Sequence, residues 1–172
     1  MILRMSFPSR ARFFMAEDNP GDVSLMVEAI EEVGLAADVE VETDGASAVA
    51  RLLDPSHQLP DLIILNFNLP KIQGSQVLAA IKGCKRLLGV PVVMLTTSSA
   101  QADRLLCASA DAYFIKSGDW EELVKIVGHL RDLIDAIPTK RPTTEAKLDA
   151  DAFWDQEPKG EDDAPTVAHF TS

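Results

Sequence analysis

Glu17 and Asp18 are adjacent acids that follow the apolar run "RFFMA", Arg12 to Ala16. Asn66 closes "LIILN", Thr96 closes "VPVVMLT" and Lys116 closes "AYFIK". Two neighbouring carboxylates suit a hard divalent ion such as Mg²⁺, which takes a few anionic oxygens and keeps several waters. A lysine and a threonine hydroxyl suit a phosphoryl group, one supplying charge and the other a hydrogen bond. Taken singly, each has a plainer reading. Glu17-Asp18 is then a charge pair favoured at a helix N-terminus, and Lys116 a solvated lysine. Their common position, each just past an apolar run, favours a shared pocket for a metal and a phosphoryl group.

Such a pocket exists only if the fold gathers the ends of those runs. From residue 12 to about 137, short apolar runs alternate with segments of helical period, the pattern of βα units feeding a parallel sheet. After "RFFMA", Asn19 is placed as an N-cap and Pro20 at the first helical position. Met26, Ala29, Ile30 and Val33 then make one stripe, and Gly34 stops the helix. "DVEVET" (Asp38 to Thr43) alternates, as an edge strand with one wetter face should, and a short helix follows over Ala46 to Leu53. Leu62 to Asn66 is the third strand, with a helix around Ser75 to Lys82. "VPVVMLT" is the fourth strand and leads to a helix over Gln101 to Ser109, and "AYFIK" is the fifth. The last helix carries Leu123, Ile126, Val127, Leu130, Ile134 and Ile137 on one face and stops before Pro138. The expected fold is therefore α/β, an open, doubly wound, five-stranded parallel sheet of flavodoxin-like type, whose ligand site lies at the carboxyl ends of the strands.

Composition narrows the function. The 172 residues are 47% apolar and 25% charged, as in an ordinary globular chain, and suffice for one full domain. The net charge of -11 argues against direct binding to nucleic acid. No stretch suits a bilayer span, and "MILRMSFPSR" is broken by Arg4 and Pro8 where a signal peptide would be apolar, so a cytoplasmic protein is expected. Cys84 and Cys107 are expected as buried thiols. His57, His129 and His169 are scattered and expected at the surface, and Trp120 is expected to pack. Neither G-x-G-x-x-G nor G-x-x-x-x-G-K-[ST] occurs, and "AEDNPGD" would repel phosphate, which disfavours a nucleotide- or flavin-binding enzyme. The organisation expected is an N-terminal extension over residues 1–11, a domain over 12–137 and an acidic, Pro-rich tail over 138–172, largely disordered. The aromatic pair in "AFW" (Ala152 to Trp154) is a candidate docking element within that tail.

The chain resembles the response-regulator receiver domain, the CheY-like family of two-component signalling, over about Arg12 to Ile137. "AEDNPGDVSLMVEAI" is similar to the family's acidic-pair loop and first helix. "LNFNLPKIQG" resembles its phosphoacceptor loop, "VVMLTTSS" its switch-threonine strand and "DAYFIKS" its lysine strand. The wording of "EDNPGD" and "LTTSS" is also similar to single-domain regulators that partner phytochrome-type histidine kinases. The resemblance implies that Asp18 is the direct metal ligand, Glu17 the supporting one, and the Asn68 carbonyl the third protein contact to Mg²⁺. It implies that Thr96 and Lys116 hold the phosphoryl oxygens and that Tyr113 is the switch aromatic. It further implies a non-enzymatic regulator whose partner is a sensor histidine kinase or phosphotransfer protein, with a homodimer through the last helix and fifth strand.

One position departs from the family. The receiver nucleophile is an aspartate whose carboxylate attacks phosphohistidine phosphorus, and this chain has Asn66 there. An amide oxygen bears no full charge and forms no stable acyl phosphate, so the chain is expected not to accept a phosphoryl group. Losing one carboxylate from the pocket is also expected to weaken Mg²⁺ binding. Gln73 and Ser117 depart too, standing where Asp and Pro are usual. An imposed substitution, a natural pseudo-receiver and a deamidating asparagine are the three origins open to Asn66. Phe67 as the following residue disfavours the last. The alternative function is a pseudo-receiver acting as a phosphorylation-independent interaction module.

Overall fold

The computed structural model describes residues 10–97 and 100–136. Five strands and five helices alternate along them: β1 (Ala11–Ala16), α1 (Pro20–Glu32), β2 (Ala37–Glu42), α2 (Gly45–Leu53), β3 (Leu62–Asn66), α3 (Gly74–Gly83), β4 (Val92–Thr96), α4 (Gln101–Leu106), β5 (Ala112–Ile115) and α5 (Trp120–Asp135). Every strand pair is parallel, in the order β2-β1-β3-β4-β5. The expected doubly wound sheet is therefore the observed one, with β2 at an edge.

The period of two along the strands sorts the apolar side chains into two cores. Phe13 and Met15 of β1, with Leu62 and Ile64 of β3, face α1 and α5 and meet Met26, Ala29, Ile30, Ile126, Val127 and Leu130. Phe14 and Ala16, with Ile63 and Leu65, face the other way, onto Ala48 and Leu52 of α2 and Val77, Leu78 and Ile81 of α3. All of β3 and β4 is buried, as central strands covered on both faces must be. Burial at about 25 cal/mol per Å² of apolar surface makes these two layers the main source of stability.

Local signals behave as the sequence suggests at several ends. The Asn19 side chain accepts from Gly21 N, Pro20 opens α1, and Gly34 leaves it at φ 67°. Asp44 and Asp119 cap α2 and α5 by accepting from Ser47 N and Glu122 N. The α5 stripe is buried at Ile126, Val127 and Leu130 and half-buried at Leu123 and Ile134, while Ile137 lies outside the described residues.

Four expectations need correction. His57 is half-buried rather than on the surface, with a side chain only 8% exposed. In the turn after α2 its ring meets Phe14 edge-on, and its Nε2 lies 2.8 Å from Glu40 Oε2. Arg86 fixes that turn by donating to the carbonyls of Leu52, Asp54 and His57. Helix α4 stops at Leu106, short of Ser109, because Cys107 turns inward with its N–H shared by the Asp103 and Arg104 carbonyls, and no residue of α4 is buried. Trp120, the first residue of α5, is 41% exposed and lines a groove with Leu25 and Leu123. Cys107 is buried but Cys84 only half-buried, both as thiols. His169, Trp154 and the expected tail lie outside the described residues.

Candidate functional site

The carboxyl ends of β1, β3, β4 and β5 lie side by side through register. Ala16 pairs with Leu65, Asn66 with Leu95 and Thr96 with Ile115. The residue after each run therefore emerges at the same edge of the sheet. Backbone bonds hold these ends together: Phe67 N donates to Leu95 O at 2.9 Å, and Lys116 N to Thr96 O at 2.7 Å.

Asn66, Glu17, Asp18, Asn68 and Lys116 form one connected network. The Asn66 Nδ2 group donates to Glu17 Oε1 (3.1 Å), Asp18 Oδ1 (3.2 Å) and the Asn68 carbonyl (3.1 Å). An amide oxygen turned to that side would face only other oxygens, so the acceptors fix the orientation of the carboxamide. Lys116 Nζ donates to Glu17 Oε2 at 2.5 Å and to Asp22 Oδ2 at 2.8 Å. Glu17 is 1% exposed, which is costly for a charged carboxylate. Burial pushes its carboxyl above the usual range, and the hydrogen bond and charge of Lys116 only partly pull it back.

Thr96 is fully buried and is hydrogen bonded to the Tyr113 side chain. Burial raises the Tyr113 phenol, and the bond from Thr96 works against that rise. The guanidinium of Arg104 lies 5.8 Å from the Tyr113 ring centroid, tying the aromatic to α4. The threonine on β4 and the tyrosine on β5 thus form a second pair beside the acidic network, one and two strands over from Asn66.

Asp22 was missed by sequence reasoning. It sits in the first turn of α1, where it accepts from Asn19 Nδ2 and shares the Lys116 ammonium with Glu17. Its only sequence signal is its place in the first turn of the helix that follows the Glu17-Asp18 pair, and nothing local points to Lys116. Asp61 and Asp111 lie at the other end of the sheet, accepting from Arg12 N and Val92 N at the starts of strands, so neither can serve in place of Asn66.

Two close approaches shape the loop after β3. A Cβ on Gly74 would lie 2.1 Å from the Asn66 carbonyl oxygen, and one on Gly45 would lie 1.9 Å from the Ile72 carbonyl oxygen. Gly45 N also donates to Pro70 O, and Lys71 Nζ reaches Asp44 Oδ2 at 2.7 Å. The loop that carries Asn66 and Asn68 is thereby clamped to the start of α2.

The response regulator receiver domain family matches this sequence over residues 13–128. The chain belongs to that family. Receivers are in general non-enzymatic signalling modules of two-component systems, and this one shares their CheY-like fold. Response regulator Rcp1 of Synechocystis sp. (strain ATCC 27184 / PCC 6803 / Kazusa) is 33% identical over 119 residues, covering 66% of this chain and 81% of Rcp1. Among solved structures, the phosphorylated cyanobacterial phytochrome response regulator RcpA matches with a TM-score of 0.68 and 32% identity, over 76% of this chain and 98% of RcpA. The Mn²⁺-bound form of Rcp1 matches with a TM-score of 0.64 and 30% identity, over 71% of this chain and 92% of that one.

A bound divalent ion draws its oxygens to about 2.0–2.1 Å in the case of Mg²⁺. In this receiver, Glu17, Asp18 and the Asn68 carbonyl are turned to the N–H donors of Asn66. The donor set is oxygen-rich, as a cation requires, but with the amide in this orientation all three oxygens point to the same Nδ2 group. The arrangement does not fit a metal while those three bonds are made.

Proposed function

We propose that this receiver acts in two-component signalling by docking to a sensor histidine kinase, of phytochrome type, or to a phosphotransfer protein, and that it does so without accepting a phosphoryl group. The observation that carries the reading is the Asn66 carboxamide in the phosphoacceptor position, with its donors spent on Glu17, Asp18 and the Asn68 carbonyl. Phosphotransfer to a receiver forms a bond between a carboxylate oxygen and phosphorus as the phosphorus–nitrogen bond of phosphohistidine breaks. Asn66 has no such oxygen, and its amide nitrogen is a donor here, with no lone pair available for attack.

The rest of the pocket supports the receiver role. Thr96, Lys116 and Tyr113 are assigned to the phosphoryl and switch positions, Glu17, Asp18 and Asn68 to the metal position, and residues 12–137 to the domain. The resulting protein is a cytoplasmic pseudo-receiver whose binding to its partner is independent of phosphorylation. No helix among the described residues is long and apolar enough to cross a membrane. A homodimer through α5 and β5 is part of the proposal, supported by the exposure of Ile115, at 46%. Sedimentation that finds only monomer at high concentration removes that part.

The test is intact mass after incubation with acetyl phosphate and Mg²⁺, on the native chain and on Asn66→Asp. A phosphoryl adduct on the aspartate variant alone is the expected result. An adduct on the native chain refutes the proposal.

A further inference from the structure

We infer that Asn66 replaces the divalent cation as well as the nucleophile: its carboxamide joins the two loops that a metal would join, so the native pocket is closed without metal. The inference rests on the reading of this pocket as the receiver pocket and adds how it is held in the native chain.

Three features lead there. The Asn66 donors reach Glu17 and Asp18 in the β1–α1 loop and the Asn68 carbonyl in the β3–α3 loop, the same oxygens that would otherwise converge on a cation. Lys116 meanwhile supplies a full positive charge to Glu17 and Asp22 from β5. Between the amide and the ammonium, both oxygens of the buried Glu17 carboxylate are hydrogen bonded, and Oε1 also accepts from Asn19 N. A buried carboxylate satisfied at both oxygens has little to gain from a metal, and a metal would have to break bonds to enter.

Asn66 can play one of two roles toward a metal. If the amide is a weak neutral ligand, removing it lowers metal affinity. If it is a stand-in that holds the oxygens, removing it raises metal affinity, because a water completes the coordination in its place. One broken hydrogen bond to a charged group is enough for a change of about tenfold.

The experiment is Mn²⁺ binding followed by electron paramagnetic resonance on the native chain, Asn66→Ala and Asn66→Asp, with thermal melts of the native chain in EDTA and at the Mg²⁺ concentration that half-saturates Asn66→Asp, where a site bound more than tenfold more weakly adds almost nothing to stability. Asn66→Ala should bind Mn²⁺ about tenfold more tightly than the native chain, and Asn66→Asp more tightly again. The native melting temperature should be the same in EDTA and in Mg²⁺. Native binding as tight as or tighter than that of Asn66→Ala overturns the inference. A rise in the native melting temperature with Mg²⁺ overturns it too, and that measurement stands even where Asn66→Ala does not fold. Neither readout involves phosphorylation, so an acetyl phosphate adduct on the native chain would end the proposed function while leaving this comparison to be decided by Mn²⁺.

Discussion

Gly74 opens α3 directly against the backbone of Asn66, and Gly74→Ala tests how rigidly the site loop is set. The added Cβ would lie 2.1 Å from the Asn66 carbonyl oxygen and 3.0 Å from both the Asn66 carbonyl carbon and Phe67 Cα. All three atoms are backbone, so no side-chain rotation relieves the contact. Restoring van der Waals separation requires a shift of about 1 Å in the end of β3 or the start of α3, at the upper end of overpacking costs, about 3 kcal/mol. That shift opposes Gly74 N to Phe67 O (2.8 Å) and Phe67 N to Leu95 O (2.9 Å), the bonds that hold Asn66 in the site. The control is Gly128→Ala inside α5, where an added Cβ meets nothing within 4 Å. It should stabilise by about 1 kcal/mol through helix propensity alone. Thermal and urea melts followed by circular dichroism should place Gly74→Ala about 10 °C below the native midpoint and Gly128→Ala a few degrees above it. A Gly74→Ala midpoint within about 2 °C of the native one would refute the claim that this loop is fixed by close packing.

Lys116→Met leaves the buried Glu17 carboxylate with only neutral donors. It should destabilise by about 3 kcal/mol at neutral pH, as broken buried pairs do. Burial holds the Glu17 carboxyl above the ordinary range, so the loss should shrink as pH falls and Glu17 takes up a proton, and urea melts at neutral and mildly acidic pH that show equal losses would contradict this. Asp44 is held at about 2 by the hydrogen bond from Lys71 and by Ser47 N, below its ordinary 3.8. A depressed carboxyl contributes stability that is complete above its unfolded value and is lost as pH falls through the folded one. Asp44→Asn should therefore flatten the acid limb of the stability curve between about pH 4 and pH 2, and an acid limb unchanged from the native one would count against the Lys71 clamp.

The sequence by itself determined a good deal of this protein. The alternation of apolar runs with helical stripes specified a parallel, doubly wound sheet. The polar residues that close those runs had to meet at one edge, because successive parallel strands all finish on the same side. Glu17, Asp18, Asn66, Thr96 and Lys116 could be chosen on that ground, and Asn66 read as chemically unable to do an aspartate's work. Only the tertiary structure decided how the Asn66 side chain is held. The direction of the Asn66 amide depends on acceptors contributed by a loop 48 or 49 residues away in sequence. The partnership of Lys116 with Asp22 spans 94 residues and carries no local signal. His57 shows the same limit: a polar residue in a loop reads as exposed until the strand, ring and guanidinium that enclose it are in place. Periodicity records which way a side chain faces within its own element, whereas burial and hydrogen bonding depend on what the rest of the chain brings to that face.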